Sequence, residues 1–88
     1  MEVDVSQIDE KFFRKVVGAR IRLWRILRGH TMQSLEDATG IEASMLCRIE
    51  GGTLRLDTVN AVRLSDALNL GIDELLAVPE EPEHAAAV

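Results

Sequence analysis

The sequence predicts an all-α fold. Apolar residues recur at three- and four-residue intervals from about Asp9 to Ala77, no segment alternates with period two, and Gly29, Gly40, Gly51, Gly52 and Pro79 cut the chain into short helical runs. At 88 residues and 47% apolar content the chain makes one domain, and an aromatic share of only 3% means that its core must be aliphatic. The composition places that domain at residues 9–78, between an acidic N-terminal arm, 1–8, and a Pro-, Glu- and Ala-rich acidic tail, 79–88, expected to be disordered.

The first helix runs from about Asp9 to Leu27. Ser6 followed three residues later by Asp9 has the form of a capping signal, and Gly29 supplies the C-terminal stop. Its central apolar stripe is Phe12, Val16, Ala19, Leu23, Ile26 and Leu27, flanked by Phe13 and Trp24, and this face is expected to point inward. Lys11, Arg14, Lys15, Arg22, Arg25 and Arg28 gather opposite it and are expected to form a solvated face. Thr31 can cap a second helix, Met32 to Thr39, with Leu35 inward and Ala38 beside it, ending at Gly40. A third helix follows Ile41, carries Met45, Leu46 and Ile49 as its apolar positions, and stops at Gly51 and Gly52. Asp57 or Thr58 can cap a fourth helix to about Leu68, bearing Val59, Val62, Leu64, Ala67 and Leu68. A last turn or two, Ile72 to Ala77, presents Leu75 and Leu76 before Pro79 and Pro82 end regular structure.

Charge and cysteine content narrow the function classes. The net charge is −5, but seven of the 15 acids lie in residues 1–10 and 79–88, so the segment from Lys11 to Val78 keeps eight acids against all ten Lys and Arg, a balance of +2. The acidity therefore belongs to the ends and does not exclude a polyanionic partner for the domain. Cys47 is alone, which precludes an internal disulfide, and is read as a plain substitute for serine; His30 and His84 offer no metal-site spacing. No apolar run approaches membrane-spanning length and the N-terminus has no signal-peptide pattern, so a cytoplasmic protein without a membrane partner is expected. Trp24 and Met45 fall at packing positions, and no nucleophile triad, paired carboxylates or glycine-rich phosphate loop is present, which predicts neither enzyme activity nor a cofactor.

The informative stretch is Thr31 to Gly52, TMQSLEDATGIEASMLCRIEGG. Two short helices meet at Gly40, with Leu35, Ile41, Leu46 and Ile49 at the inward positions of a helix-turn-helix. The tight turn between them favours a left-handed backbone conformation that glycine adopts without cost. Such a pair offers its second helix, Ala43 to Glu50, to a DNA major groove.

From about Val17 to Leu76, roughly two thirds of the chain, the sequence resembles the lambda-repressor-like, Cro-type (XRE) helix-turn-helix domains. The resemblance rests on GARIRLWR before the first turn, L....G in the second helix, RIEGG closing the third and LDTV...RLSDALNLGIDELL at the end. It implies a compact five-helix domain with the helix-turn-helix in helices 2 and 3, encoded by a bacterium or phage and nucleoid-associated when bound. It implies a structural salt bridge between Arg25 and Glu50. It places base-facing positions at Ala43, Ser44, Cys47 and Arg48 and, at the start of the second helix, at Met32 and Gln33, with backbone contacts at Thr31, Thr53 and Arg55. Arg48 has the most suitable chemistry, since a guanidinium can donate to a guanine edge or a phosphate. Met32, Glu36 and Glu42 depart from the family, which has glutamine, a small residue and a capping serine there. Glu42 is expected to act at its helix N-terminus through charge.

The function this implies is a homodimeric, sequence-specific transcription regulator, in this family more often a repressor, that reads a pseudo-palindrome in double-stranded DNA. Its dimer surface is expected around Ile72, Leu75, Leu76 and Val78. The rival class is a helix-turn-helix module that binds a protein partner, such as an antitoxin, adaptor or antirepressor, with DNA contact weak or lost; the acidic ends, Met32 and Glu42 favour it.

Overall fold

The computed structural model describes residues 9–76. Five α-helices follow one another: α1 (Glu10–Leu27), α2 (Met32–Thr39), α3 (Ala43–Glu50), α4 (Thr58–Ala67) and α5 (Ile72–Leu76). Ser6, Ala77, Val78 and both acidic ends lie outside the described residues, which contain no strand.

Each start has a local cause. The Asp9 carboxylate accepts from the amides of Lys11 and Phe12 at 3.0 and 3.3 Å, and the Asp57 carboxylate from that of Asn60 at 2.7 Å, relieving donors that the first turn leaves without partners. At α2 the exchange is reciprocal. The Thr31 hydroxyl accepts from the Ser34 amide at 3.0 Å, and the Ser34 hydroxyl accepts from the Thr31 amide at 2.9 Å. Gly40 ends α2 at φ +77°, in the left-handed region that the turn into α3 requires.

The helices enclose an aliphatic core of Val17, Ile21, Leu35, Ile41, Leu46, Ile49, Ala61, Leu64, Leu68 and Leu75. α1 packs on α3 and α5, α2 on α3 and α4, and α4 on α5, so the helix-turn-helix is clamped between the first and fourth helices. Buried Thr39 stitches the turn: its hydroxyl donates to the Leu35 carbonyl at 2.7 Å and accepts from the Ile41 amide at 3.1 Å. That bond serves an amide that the left-handed turn removes from the helical ladder.

The orientation of α1 is opposite to the one its composition predicts. Val17, Gly18 and Ile21 face the core, whereas Phe12, Ala19, Leu23, Ile26 and Leu27 are exposed and Val16 is half-buried. Two features seat the inward side of α1, with Arg14 and Arg25 beside it, against the rest of the molecule. Gly18 has no side chain, and a Cβ there would lie 2.4 Å from the Ile49 carbonyl oxygen and 2.5 Å from that of Glu50, so α1 and α3 approach backbone to backbone. Arg14 and Arg28 on that side donate to carbonyls at the ends of other elements: Arg14 Nε to Gly52 O at 3.3 Å and Arg28 Nε to Leu68 O at 2.9 Å. Arg28 also lies over the half-buried Trp24 ring, 4.9 Å from its centre. In α4, Leu64 and Leu68 are buried as expected, but Val59 and Val62 face outward while Ala61 and Ser65 take the inner positions; in α2, Ala38 is exposed and Thr39 is the buried residue.

Candidate nucleic-acid interface

Leu46 and Ile49 anchor α3 in the core and turn its remaining side outward, leaving Ser44, Met45, Cys47 and Arg48 exposed and Ala43 half-buried. That pattern follows from the 3.6-residue period of an eight-residue helix with two buried anchors three residues apart. Arg48 lies in the last turn, where a cation is favoured by the helix dipole, and its side chain forms no ion pair among the described residues.

The start of α2 lies beside this face. Thr31 and Gln33 are exposed, and Gln33 Nε2 donates to Asp37 Oδ1 at 3.2 Å. Met32 is half-buried and packed against the core, so its role is in large part structural. It lines a shallow depression of about 270 Å³ together with Cys47, Gly51, Arg22, Arg25 and Glu50. Arg22, exposed as expected, thus joins α1 to the candidate surface, a placement that sequence reasoning missed because it did not count the basic side of α1 toward a DNA contact. Thr53 and Arg55 follow α3 in the loop and are exposed. The Thr53 hydroxyl donates to the Arg48 carbonyl at 3.2 Å, and the Arg55 guanidinium pairs with the Glu10 carboxylate. Glu10 also holds Arg14 at 3.3 Å.

Beneath the surface, Arg25 and Glu50 meet side on. Nε bonds Oε2 at 2.8 Å and Nη2 bonds Oε1 at 3.2 Å, while Nη1 donates to the His30 carbonyl at 3.0 Å. The Glu50 side chain is 6% exposed and that of Arg25 15%, so the pair joins α1 to the end of α3 and, through His30, to the start of α2. A forked guanidinium bonding a carboxylate twice is directional as well as attractive, which fixes the register of the three helices.

Glu36 and Glu42 form a linked pair of departures. Glu42 occupies the N-cap of α3 and makes no side-chain capping bond, so what it contributes at the helix start comes through its charge alone. Glu36 reaches across the turn from α2, and its Oε1 accepts from the Ala43 amide at 2.8 Å. The cap that a serine would give from within α3 comes here from the preceding helix. The sequence signal was present: the glutamate stood where a small residue is usual, seven positions before the amide that it caps.

The expected dimer set divides. Leu75 is fully buried in the core of this chain, because the five-residue α5 is held to α1 and α4 mainly through it, and it cannot face a partner. Ile72 is exposed and Leu76 half-buried; Val78 lies outside the described residues.

Two anchored helices joined at a left-handed glycine, the second with its outer side uncovered, define a helix-turn-helix protein. No family model matches the chain. Over 68 residues, 76% of this chain and 96% of its relative, it is 40% identical to YazB of Bacillus subtilis (strain 168), an uncharacterized HTH-type transcriptional regulator. The restriction-modification controller protein C.AhdI of Aeromonas hydrophila superposes with a TM-score of 0.69 at 27% identity, covering 70% of this chain and 94% of its own. The hypothetical transcription factor NHTF of Neisseria superposes at 0.75 over 99% of this chain and 98% of its own, a likeness of fold alone at 21% identity. The chain belongs to the lambda-repressor-like, Cro-type (XRE) family of helix-turn-helix transcriptional regulators.

Proposed function

We propose that the protein is a sequence-specific DNA-binding transcription regulator, a repressor that acts as a homodimer in the cytoplasm of a bacterium or phage host. The observation that carries this reading is the uncovered outer side of α3, where Ser44, Cys47 and Arg48 stand exposed on a helix fixed from below by Leu46 and Ile49. Arg48 donates to a guanine edge, Ser44 and Gln33 make shorter hydrogen bonds to bases, and Ala43 touches a thymine methyl. Around them Thr31, Thr53 and Arg55 hold phosphates, and Arg22 adds a cation on the same side. The Thr31 hydroxyl accepts from Ser34, which leaves its proton free for a phosphate oxygen. Met32 and Cys47 form the apolar floor between the two helices.

Two copies related by a two-fold axis set their third helices in successive major grooves, so the operator is a pseudo-palindrome with half-sites about 10 bp apart. The partner contact runs through Ile72 and Leu76 on α5. Selection from a randomised DNA pool at low and moderate salt tests the reading. A recovered inverted motif, a steep loss of affinity with salt and relaxed preference at one position in Arg48→Ala are expected. No enrichment at low salt would refute it, and sedimentation as a monomer at micromolar concentration would remove the dimer.

A further inference from the structure

The apolar side of α1 is the largest feature that neither the core nor the third helix accounts for. Phe12 is 65% exposed, Leu23 53%, Ile26 55% and Leu27 61%, with Val16 and Ala19 between them. These side chains form one continuous strip over most of an 18-residue helix, about 27 Å long. Contiguous apolar patches of a few hundred Å² on soluble monomers mark contact sites, whereas scattered apolar residues do not. The positions 12, 16, 19, 23 and 26 are separated by alternating steps of four and three, the spacing of a seam that receives one further helix. Lys11, Lys15 and Arg22 run along one edge of this strip; all three are exposed, and none has a carboxylate partner among the described residues.

We propose that the outer face of α1 docks an amphipathic helix of a partner protein, whose apolar seam packs along Phe12 to Leu27 and whose carboxylates meet Lys11, Lys15 and Arg22. Charge decides between this occupant and the α1 helix of a second copy. The only acid of α1 is Glu10, already held by Arg14 and Arg55. Antiparallel pairing of two α1 helices would set the basic edge against itself. Parallel pairing would set it against Arg20, Phe13 and Leu27, again without a carboxylate from α1. Like charges beside a helical seam select against that pairing, and opposite charges select for a partner. The apolar strip is distinct from the outer side of α3, although Arg22 borders both surfaces, and the inference does not depend on DNA binding.

The test uses the full chain without DNA and two designed helical peptides of three heptads, identical in an apolar Leu/Ile seam and differing in whether the positions flanking the seam are Glu or Lys. The Glu peptide is expected to bind at least about tenfold more tightly than the Lys peptide at low salt, with the difference shrinking as salt rises. Amide shift changes should map to residues 12–27. Leu23→Glu should abolish binding while its melting curve shows the fold intact, and the double variant Lys15→Glu/Arg22→Glu should exchange the preference of the two peptides. Equal affinity for both peptides, no binding of either, or self-association of the full chain that Leu23→Glu removes would overturn the proposal, the last by naming a second copy as the occupant.

Discussion

Gly18→Ala is the sharpest probe of how α1 is seated. On helix propensity alone the substitution should stabilise the protein, because alanine is preferred to glycine inside a helix by about 1 kcal/mol. The structure reverses the sign. The added methyl would lie 2.4 Å from the Ile49 carbonyl oxygen, 2.5 Å from that of Glu50 and 2.9 Å from the Glu50 carbonyl carbon, against a lower bound of 3.0 Å for real contacts. All three atoms are backbone, so no rotamer change relieves the overlap and the helices must part by more than about half an ångström at a close-packed seam. Overpacking costs about 1–3 kcal/mol and occasionally more, and here it also stretches the Arg25–Glu50 pair, whose arginine lies two turns further along α1. A net loss of about 1–3 kcal/mol is expected, which at about 4–8 °C per kcal/mol for a domain of this size lowers Tm by roughly 4–24 °C. Thermal and urea unfolding followed by circular dichroism measure it, with Ala19→Ser on the exposed side as a control expected to stay within about 0.5 kcal/mol. A Gly18→Ala protein as stable as the parent, or more so, would show that α1 does not approach α3 in this way.

Glu50→Ala should cost about 3–5 kcal/mol, because it leaves the guanidinium of Arg25 between helices with its carboxylate gone, and an unchanged urea midpoint would discard the pair as a structural clamp. Glu36→Ala should cost about 1 kcal/mol and speed amide exchange at Ala43, whereas Glu42→Ala should change stability by no more than about 0.5 kcal/mol; equal effects would contradict the cross-turn cap. Glu10→Gln should free Arg55 and raise affinity for DNA at low salt by up to about fivefold, the measure of an exposed ion pair, and unchanged affinity in a gel-shift titration would show that the pairing does not compete with phosphate.

Local signals were legible because each depends on a few neighbouring residues. Thr31 and Asp57 cap where their side chains sit just ahead of apolar runs, whereas the signal read from Ser6 to Asp9 resolves to Asp9 itself as the cap, and Leu35, Ile41, Leu46 and Ile49 are buried as the spacing around Gly40 predicts. The seat of α1 was not legible. An apolar-rich face is expected to be the core face, and this helix has apolar residues on both sides: Val17 and Ile21 toward the core, the fuller strip from Phe12 to Leu27 toward solvent. What chooses between the sides is non-local, namely the absent side chain of Gly18 and the carbonyls of Gly52 and Leu68 that take the inward-facing arginines. Val59 and Val62 on α4 were misplaced for a similar reason, since the inner positions go to the smaller Ala61 and Ser65. Of the site, α3 followed from its anchors, whereas the contribution of Arg22 and the pairing of Arg55 with Glu10 required the tertiary arrangement.

The two unusual glutamates and the inverted helix have a common physical consequence. A helix-turn-helix of two eight-residue segments is too short to be stable through its own hydrogen bonds, so its geometry must be imposed by its surroundings. Here polar contacts add to the aliphatic anchors: Glu36 fixes the start of α3, Arg25 and Glu50 fix its end, Thr39 fixes the turn, and Arg14 holds the loop after Gly51. Polar contacts of this kind are directional, so they define the angle between α2 and α3 more tightly than aliphatic packing would. Because the side of α1 that carries Gly18, Arg14 and Arg25 is used for this purpose, its apolar strip is released from the core. The same choice that holds the third helix in position therefore creates the exposed strip, and a substitution that weakens the clamp, such as Glu50→Ala, should perturb α3 while leaving the amide environments at the far edge of α1, around Ala19 and Leu23, largely unchanged.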